Sequence, residues 1–177
     1  MKVIAFDIET TGLNPYTDKI IAISYQEKSG VLKILKEWRS SEHEILMKFW
    51  VILSSIDETC IIQGFNILTF DIPFVIQRLI HNQIAETKEI YKLFYRKLLI
   101  IDLKQNLIPM NRWRFKGLTW DRVLSKTLNK RKTKSNQSIP DLYKSKKYDE
   151  IEDYIRSEFY FHETYSALRY KGSIILS

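Results

Sequence analysis

Short apolar runs near the start of the chain predict three β-strands. Residues 2–7, 19–26 and 31–38 are apolar or alternate between apolar and polar positions. The turn residues Ser29 and Gly30 separate the last two runs. Such close succession indicates an antiparallel meander whose first strand is buried and ends in acids.

Farther along, helical and strand patterns alternate. The segment Ser40-Ser41-Glu42 can cap a helix with an apolar face, and helical periodicity returns at 71–83, 117–128 and 149–168. Residues 60–64 and 98–103 read as two further buried strands. An order in which strands come first and then alternate with helices predicts an α/β fold. We expect a mixed central sheet, made of an antiparallel meander plus parallel strands, with helices on its flanks. The 177 residues suit one domain, spanning 1–177.

Composition narrows the class of protein. The chain is 45% hydrophobic and 13% aromatic, which is typical of a globular protein. It contains no apolar run of the roughly 18 to 20 residues that a membrane helix needs, so no membrane partner is expected. Cys60 is the one cysteine, which excludes an intramolecular disulfide, and the N-terminus lacks a signal-peptide pattern. We therefore expect a cytoplasmic protein.

Positive charge is concentrated in one segment. The net charge is +7, and residues 126–147 carry all of it, with one acid, Asp141, among eight basic residues: Lys126, Lys130, Arg131, Lys132, Lys134, Lys144, Lys146 and Lys147. Clustered Lys, Thr, Ser and Asn predict a basic loop at about 126–147. Such a loop could attract a phosphate backbone or could be a solvated loop without a partner.

Two acids stand where the first predicted strand ends. Asp7 and Glu9 are two positions apart, so their side chains leave the same face of the strand while Ile8 enters the opposite layer. Neighbouring buried carboxylates repel each other, and a divalent cation would relieve that repulsion. Oxygen ligands favour Mg²⁺ or Mn²⁺. The alternative is two solvated acids at a turn, although Thr10 and Gly12 favour a compact pocket edge.

A second block follows the strand at 60–64. Residues 64–74 read GFNILTFDIPF, in which Gly64 ends the strand and Asn66 suits a turn. Asp71 falls in the first turn of the next predicted helix, where an acid commonly acts as a cap. Taken alone, Asp71 is therefore interpreted as a helix cap.

Together these blocks resemble the DEDD superfamily of 3′→5′ exonucleases. Residues 6–13, FDIETTGL, are similar to its first motif, and residues 64–74 to its second, N-x-x-x-F-D, as found in the family-B DNA polymerase proofreading domain and its stand-alone relatives. The spacing of the blocks and Asp102 downstream also fit. The resemblance implies a ribonuclease H-like fold, two Mg²⁺ or Mn²⁺ ions per site, and hydrolysis of single-stranded nucleic acid from its 3′ end to nucleoside monophosphates, with DNA favoured over RNA.

The family's last motif is altered here. Its histidine form fails, since Ala167 stands where an acid would follow His162. Its tyrosine form, Y-x-x-x-D, is matched by Tyr154 and Glu158, with Glu in place of Asp. Tyr148 with Glu152 is a second candidate with the same spacing and ranks below Tyr154 with Glu158.

By this resemblance, Asp7, Glu9, Asp71 and Glu158 are expected to bind the metal ions, and Tyr154 to orient the attacking water. The expected substrate contacts are Thr10, Leu13, Asn66, Phe70, Lys130, Arg131, Lys132 and Lys134. Two alternatives stay open: a catalytically weak or inactive nucleic-acid-binding module on the same fold, and an endonuclease of the wider ribonuclease H-like group.

Overall fold

A five-stranded mixed sheet lies at the centre of the computed structural model, which describes residues 1–131 and 137–171. The strand order is β3-β2-β1-β4-β5. β1 pairs antiparallel with β2, which pairs antiparallel with β3, whereas β1, β4 and β5 are parallel. The predicted mixed sheet is confirmed. The strands are β1 (Lys2–Thr10), β2 (Ile20–Glu27), β3 (Lys33–Lys36), β4 (Cys60–Gly64) and β5 (Leu98–Asp102).

Eight α-helices are present in the described residues, and short 3-10 or π turns link some of them. Ser41 caps the first, its hydroxyl accepting the Glu44 N–H as the sequence indicated. The helices are α1 (Glu42–Ser54), α2 (Asp71–His81), α3 (Thr87–Lys92), α4 (Leu103–Leu107), α5 (Trp120–Leu128), α6 (Ile139–Lys144), α7 (Tyr148–Glu158) and α8 (Phe161–Lys171).

Hydrophobic side chains cover both faces of the sheet. Ile4, Phe6 and Ile8 of β1 pack into the larger core with residues of α1, α2 and α3. On the opposite face, Ala5 belongs to a second core formed with residues of α5 and α8. Because Asp7 shares this second face, the alternation along β1 directs its carboxylate away from the larger core.

The helical run at 149–168 is broken into α7 and α8. Phe159 leaves the helical conformation, with φ −82° and ψ 71°, and is buried with Phe161 in an edge-to-face pair 5.0 Å apart. The carbonyl of Glu158 accepts the indole N–H of Trp120 at 2.9 Å. A distant tryptophan therefore satisfies the end of α7, which a periodicity argument could not detect.

Part of the predicted basic loop is helical. Residue 126 lies in α5 and residue 144 in α6, so the irregular stretch is shorter than 126–147. Lys130 and Arg131 are exposed, whereas Lys132 and Lys134 lie outside the described residues. None of the helices in the described part of the chain has the length and apolarity that crossing a bilayer requires.

Candidate active site

An acidic cavity of about 200 Å³ opens beside the carboxyl-terminal part of β1. Its walls combine carboxylates with aromatic rings, and four separate stretches of the chain supply them. The lining residues are Asp7, Ile8, Glu9, Phe65, Asn66, Phe70, Asp71, Trp120, Tyr154, Glu158 and Phe161.

Strand pairing explains why the cavity forms there. β1 pairs with β4 only as far as Ala5 and Gln63, although β1 itself continues to Thr10. The acids therefore lie in the last part of β1, at the end of the first strand as the sequence indicated, where β1 pairs with β2 but no longer with β4. The pairing register with β2 shifts between Glu9 and Thr10. Such irregularities occur where a sheet redirects side chains.

The turn that follows β4 brings the second block to the cavity. A Cβ atom at Gly64 would lie 2.8 Å from the carbonyl oxygen of Phe6, so glycine allows the two chains to approach. Asn66 has a left-handed backbone, with φ 67°. The buried Asp102 carboxylate accepts the backbone N–H groups of Asn66 at 2.8 Å and of Leu68 at 3.1 Å. Asp102 thus positions this turn, a role that its sequence context did not reveal.

Asp71 connects α2 to β1. Its Oδ1 accepts the Ile8 N–H at 3.1 Å, while Phe70 is the N-cap residue of α2. The interpretation of Asp71 as a helix cap is therefore wrong: the carboxylate points to β1. Burial of the side chain, together with the charges of Asp102 and Glu158, raises the pKa of Asp71 to about 7, although the Ile8 hydrogen bond opposes the shift.

Three carboxylates from the two ends of the chain converge in the cavity. One oxygen each of Asp7, Glu9 and Glu158 lies within 4.8 Å of the others. Tyr154 lines the same cavity one helical turn before Glu158. A cluster of carboxylate oxygens with a fourth buried acid beside it is a donor set that hard divalent cations fit. The protein's own residues therefore suit Mg²⁺ or Mn²⁺.

The second candidate pair lies elsewhere. Glu152 forms an ion pair with Lys36 at 2.5 Å, and Tyr148 stacks on Trp38 with ring centroids 5.1 Å apart. Of the two Y-x-x-x-E pairs, the structure brings only Tyr154 with Glu158 to the acidic cavity. This placement agrees with the ranking of the two pairs from the sequence, and the ion pair with β3 accounts for the different position of Glu152.

An aromatic wall is the part of the cavity that sequence reasoning missed. Trp120 stacks on Phe161 at 4.8 Å and meets Phe65 at 5.2 Å. Phe65 is next to Asn66 in the second motif, so the sequence contained a reason to expect Phe65 at the cavity. Trp120 and Phe161 offered none, because they reach the cavity through the packing of α5 on α8.

Of the predicted substrate contacts, Asn66 and Phe70 line the cavity, whereas Thr10 and Leu13 do not. The Asn66 side chain also accepts hydrogen bonds from the Thr69 hydroxyl at 2.7 Å and from Lys104 Nζ at 3.0 Å. Thr10 is buried, and its hydroxyl donates to the Gly12 carbonyl at 2.6 Å. Leu13, by contrast, is 82% exposed on the loop after β1.

Two of the four predicted basic contacts, Lys130 and Arg131, belong to the described residues. The ammonium of Lys130 lies 4.2 Å from the centre of the Tyr160 ring, close to the break between α7 and α8. Neither Lys130 nor Arg131 lines the acidic cavity.

A buried ion pair braces the loop beside the site. Arg78 of α2 donates to both carboxylate oxygens of Glu42, at 2.8 and 2.6 Å, and to the carbonyl of Pro15 at 3.2 Å. Glu42 also accepts the Ile20 N–H at 2.8 Å. The pair thereby fastens α1 and α2 to the loop between β1 and β2.

Comparison with known proteins agrees with this geometry. Residues 4–144 match the RNase H superfamily. The chain belongs to the ribonuclease H superfamily. No curated protein sequence matches it significantly.

Solved structures with the same fold extend the comparison. This superfamily member is similar to the family B DNA polymerase from Pyrobaculum calidifontis, with 14% identity and a TM-score of 0.66 over 96% of this chain and 24% of that chain. It is also similar to Brucella melitensis NrnC, with 16% identity and a TM-score of 0.58, over 96% of this chain and 75% of NrnC. A third similar structure is Escherichia coli exonuclease I in complex with a 5cy-dA13 oligonucleotide. It has 12% identity and a TM-score of 0.59, over 95% of this chain and 40% of exonuclease I. The chain therefore spans about a quarter of the polymerase and two fifths of exonuclease I. The ribonuclease H-like fold that the motifs implied is confirmed.

The raised pKa of Asp71 predicts a pH-dependent stability of the metal-free protein. In the unfolded chain this carboxyl ionises near its ordinary pKa of 3.8, whereas in the folded protein it keeps its proton until about pH 7. Stability should therefore fall as the pH rises through that window. Asp71→Asn removes the free-energy cost of ionising a buried carboxyl. The variant's amide oxygen can still accept the Ile8 N–H. In EDTA, the variant's Tm should exceed that of the wild type by several degrees more at about pH 8 than at about pH 5.

Calorimetry of the two proteins checks this difference. Asp57→Asn, which changes an exposed acid before β4, is the matched control and should show no pH-dependent gain. An Asp71→Asn advantage that is equal at the two pH values would contradict the assigned cause.

Proposed function

We propose that residues 1–177 form a single metal-dependent 3′→5′ exonuclease domain that hydrolyses single-stranded nucleic acid, DNA in preference to RNA, to nucleoside monophosphates. The observation that carries the proposal is the convergence of Asp7, Glu9 and Glu158 within 4.8 Å, in a cavity that Asp71 and Tyr154 also line. Acids from β1 and α7 that share a cavity repel each other, and a bound divalent cation would relieve that repulsion.

Each residue has a role in the proposed reaction. Asp7, Glu9 and Glu158 would hold two Mg²⁺ or Mn²⁺ ions, with Asp71 completing the ligand set. When bound, the ions activate a water molecule and stabilise the leaving 3′-oxygen. Tyr154 would orient that water through its hydroxyl. Phe70 and Leu13 would contact the terminal bases, and Thr10 and Asn66 would shape the pocket around them.

Similar structures support the choice of substrate and cofactor. Exonuclease I was solved with single-stranded DNA and, in one form, with a zinc ion bound. The cavity's aromatic wall suits the sequence-tolerant stacking by which proteins hold single strands. Lys130, Arg131, Lys132 and Lys134 would attract the strand's phosphates, so that binding weakens with added salt.

The direction of cleavage tests the proposal. A 5′-labelled single strand should give a ladder that shortens from its 3′ end with Mg²⁺ or Mn²⁺, and no products with EDTA. The same sequence as RNA, run in parallel, measures the preference for DNA.

A circular single strand is the control substrate, since it has no 3′ end. Efficient cutting of the circle would favour an endonuclease and overturn the proposal. Binding of the linear strand without metal-dependent turnover would identify a nucleic-acid-binding module instead.

A further inference from the structure

An exposed turn between α4 and α5 interleaves cations with aromatic rings. Residues 112–116 read RWRFK, and all five side chains are exposed. Trp113 is 76% and Phe115 is 56% exposed. No acid occurs anywhere between Leu103 and Trp120 in the sequence. Large aromatic rings seldom stay in solvent in such a setting unless something covers them.

The backbone of this turn is fixed although its side chains are not buried. Arg112 and Trp113 both adopt left-handed conformations, with φ 54° and 60°. The buried Asn111 side chain donates to the carbonyls of Arg114 and Lys116, and the Trp113 N–H donates to the carbonyl of Ile108 at 2.9 Å. The backbone that carries the two rings is therefore held in one conformation, which lowers the ordering cost of binding.

The turn begins and ends near the acidic cavity. The chain enters it from Asp102, which holds the Asn66 turn, by way of the five-residue helix α4. It leaves the turn to Trp120, which lines the cavity. At a maximum of about 3.6 Å per residue, Trp113 lies within about 25 Å of Trp120. A strand whose 3′ end occupies the cavity can reach that far.

We propose that residues 112–116 form a stacking platform for the single strand upstream of the scissile end. This inference rests on the proposed function and extends it to a second binding surface. Trp113 and Phe115 stack against successive bases, while Arg112, Arg114 and Lys116 neutralise phosphates. Charge supports this occupant: the acidic cavity repels the phosphate backbone, and a nearby cationic platform offsets that repulsion.

The opposite end of the sheet supplies a matched control. Tyr91 and Tyr95 stack on each other at 5.8 Å and are 47% and 58% exposed among basic residues. They precede the amino end of β5, whereas the cavity lies at the carboxyl ends of the strands. Both double variants, Trp113→Ala with Phe115→Ala and Tyr91→Ala with Tyr95→Ala, remove exposed rings, and circular dichroism verifies that each is folded.

The experiment measures binding and turnover separately. Fluorescence anisotropy with a labelled twenty-nucleotide strand in EDTA should show at least about tenfold weaker affinity for the Trp113 and Phe115 variant. The Tyr91 and Tyr95 variant should match the wild type. Hydrolysis of the p-nitrophenyl ester of thymidine 5′-monophosphate with Mn²⁺ should be unchanged in both variants, because this small ester occupies only the cavity.

The outcomes separate the two proposals. Unchanged strand affinity in the Trp113 and Phe115 variant would overturn the platform while leaving the exonuclease intact. If that variant also abolishes a self-association of the wild type in sedimentation, the surface binds protein instead, and the platform is again wrong. Equal losses in both double variants would likewise overturn it. A wild type that hydrolyses neither substrate would overturn the proposed function, and anisotropy would still report on the platform.

Discussion

Replacing Asp7 with alanine is expected to abolish turnover and leave the protein folded. The Asp7 carboxylate belongs to the three-acid cluster, so its loss removes a ligand from the centre of the proposed metal site. We expect at least a thousandfold lower rate, or about 4 kcal/mol of barrier. The metal-free fold should survive, because one fewer carboxylate means less repulsion. Release of labelled mononucleotide with Mn²⁺ measures the rate, and thermal unfolding in EDTA measures the stability.

A neighbouring acid provides the control for this substitution. Asp153 is exposed on α7, next to Tyr154 but on another face of the helix. Asp153→Ala should retain the wild-type rate. Full activity in Asp7→Ala would show that the active site lies elsewhere.

The second large effect is expected at Glu158, where the chain departs from the family's aspartate. Glu158→Gln keeps the size of the side chain and removes its charge, so we expect at least an order-of-magnitude loss of rate, about 1.4 kcal/mol or more of barrier. Glu152→Gln is the internal control. It should be close to neutral, since Glu152 is engaged with Lys36. If Glu152→Gln abolishes activity while Glu158→Gln remains active, the assignment of the two glutamates is reversed.

The extra methylene of Glu158 also bears on the choice of metal. Mg²⁺ requires near-ideal octahedral geometry, so a ligand set adjusted for a longer side chain should work better with Mn²⁺. Glu158→Asp should keep measurable activity with either ion. Rates with the two metals, compared at saturating concentration, show whether the wild type prefers Mn²⁺.

Local patterns identified the parts of the site that local rules govern. Asp7 and Glu9 were found because alternation along a strand fixes their common face. The direction of the Asp71 side chain was not predicted, because an acid at the start of a helix commonly acts as a cap. Its contact with the Ile8 N–H depends on how α2 packs against β1.

Tertiary packing decided the rest. Glu152 and Glu158 have the same sequence context, and a contact with β3 distinguishes them. Trp120 reaches the end of α7 from a distant helix. The five-stranded sheet, by contrast, followed from hydrophobic runs whose period is a property of the chain itself.

The order of the acids along the chain has a consequence for biosynthesis. The ribosome synthesises a chain from its N-terminus, and a domain generally folds as one unit. A nascent chain that has emerged through β5 holds Asp7, Glu9 and Asp71, but α7, with Tyr154 and Glu158, follows only later. The superfamily match itself ends at residue 144, before α7. Under the proposed function, the cutting centre is therefore completed only when α7 has been synthesised, so a nascent chain that stops before residue 158 cannot yet hydrolyse nucleic acid.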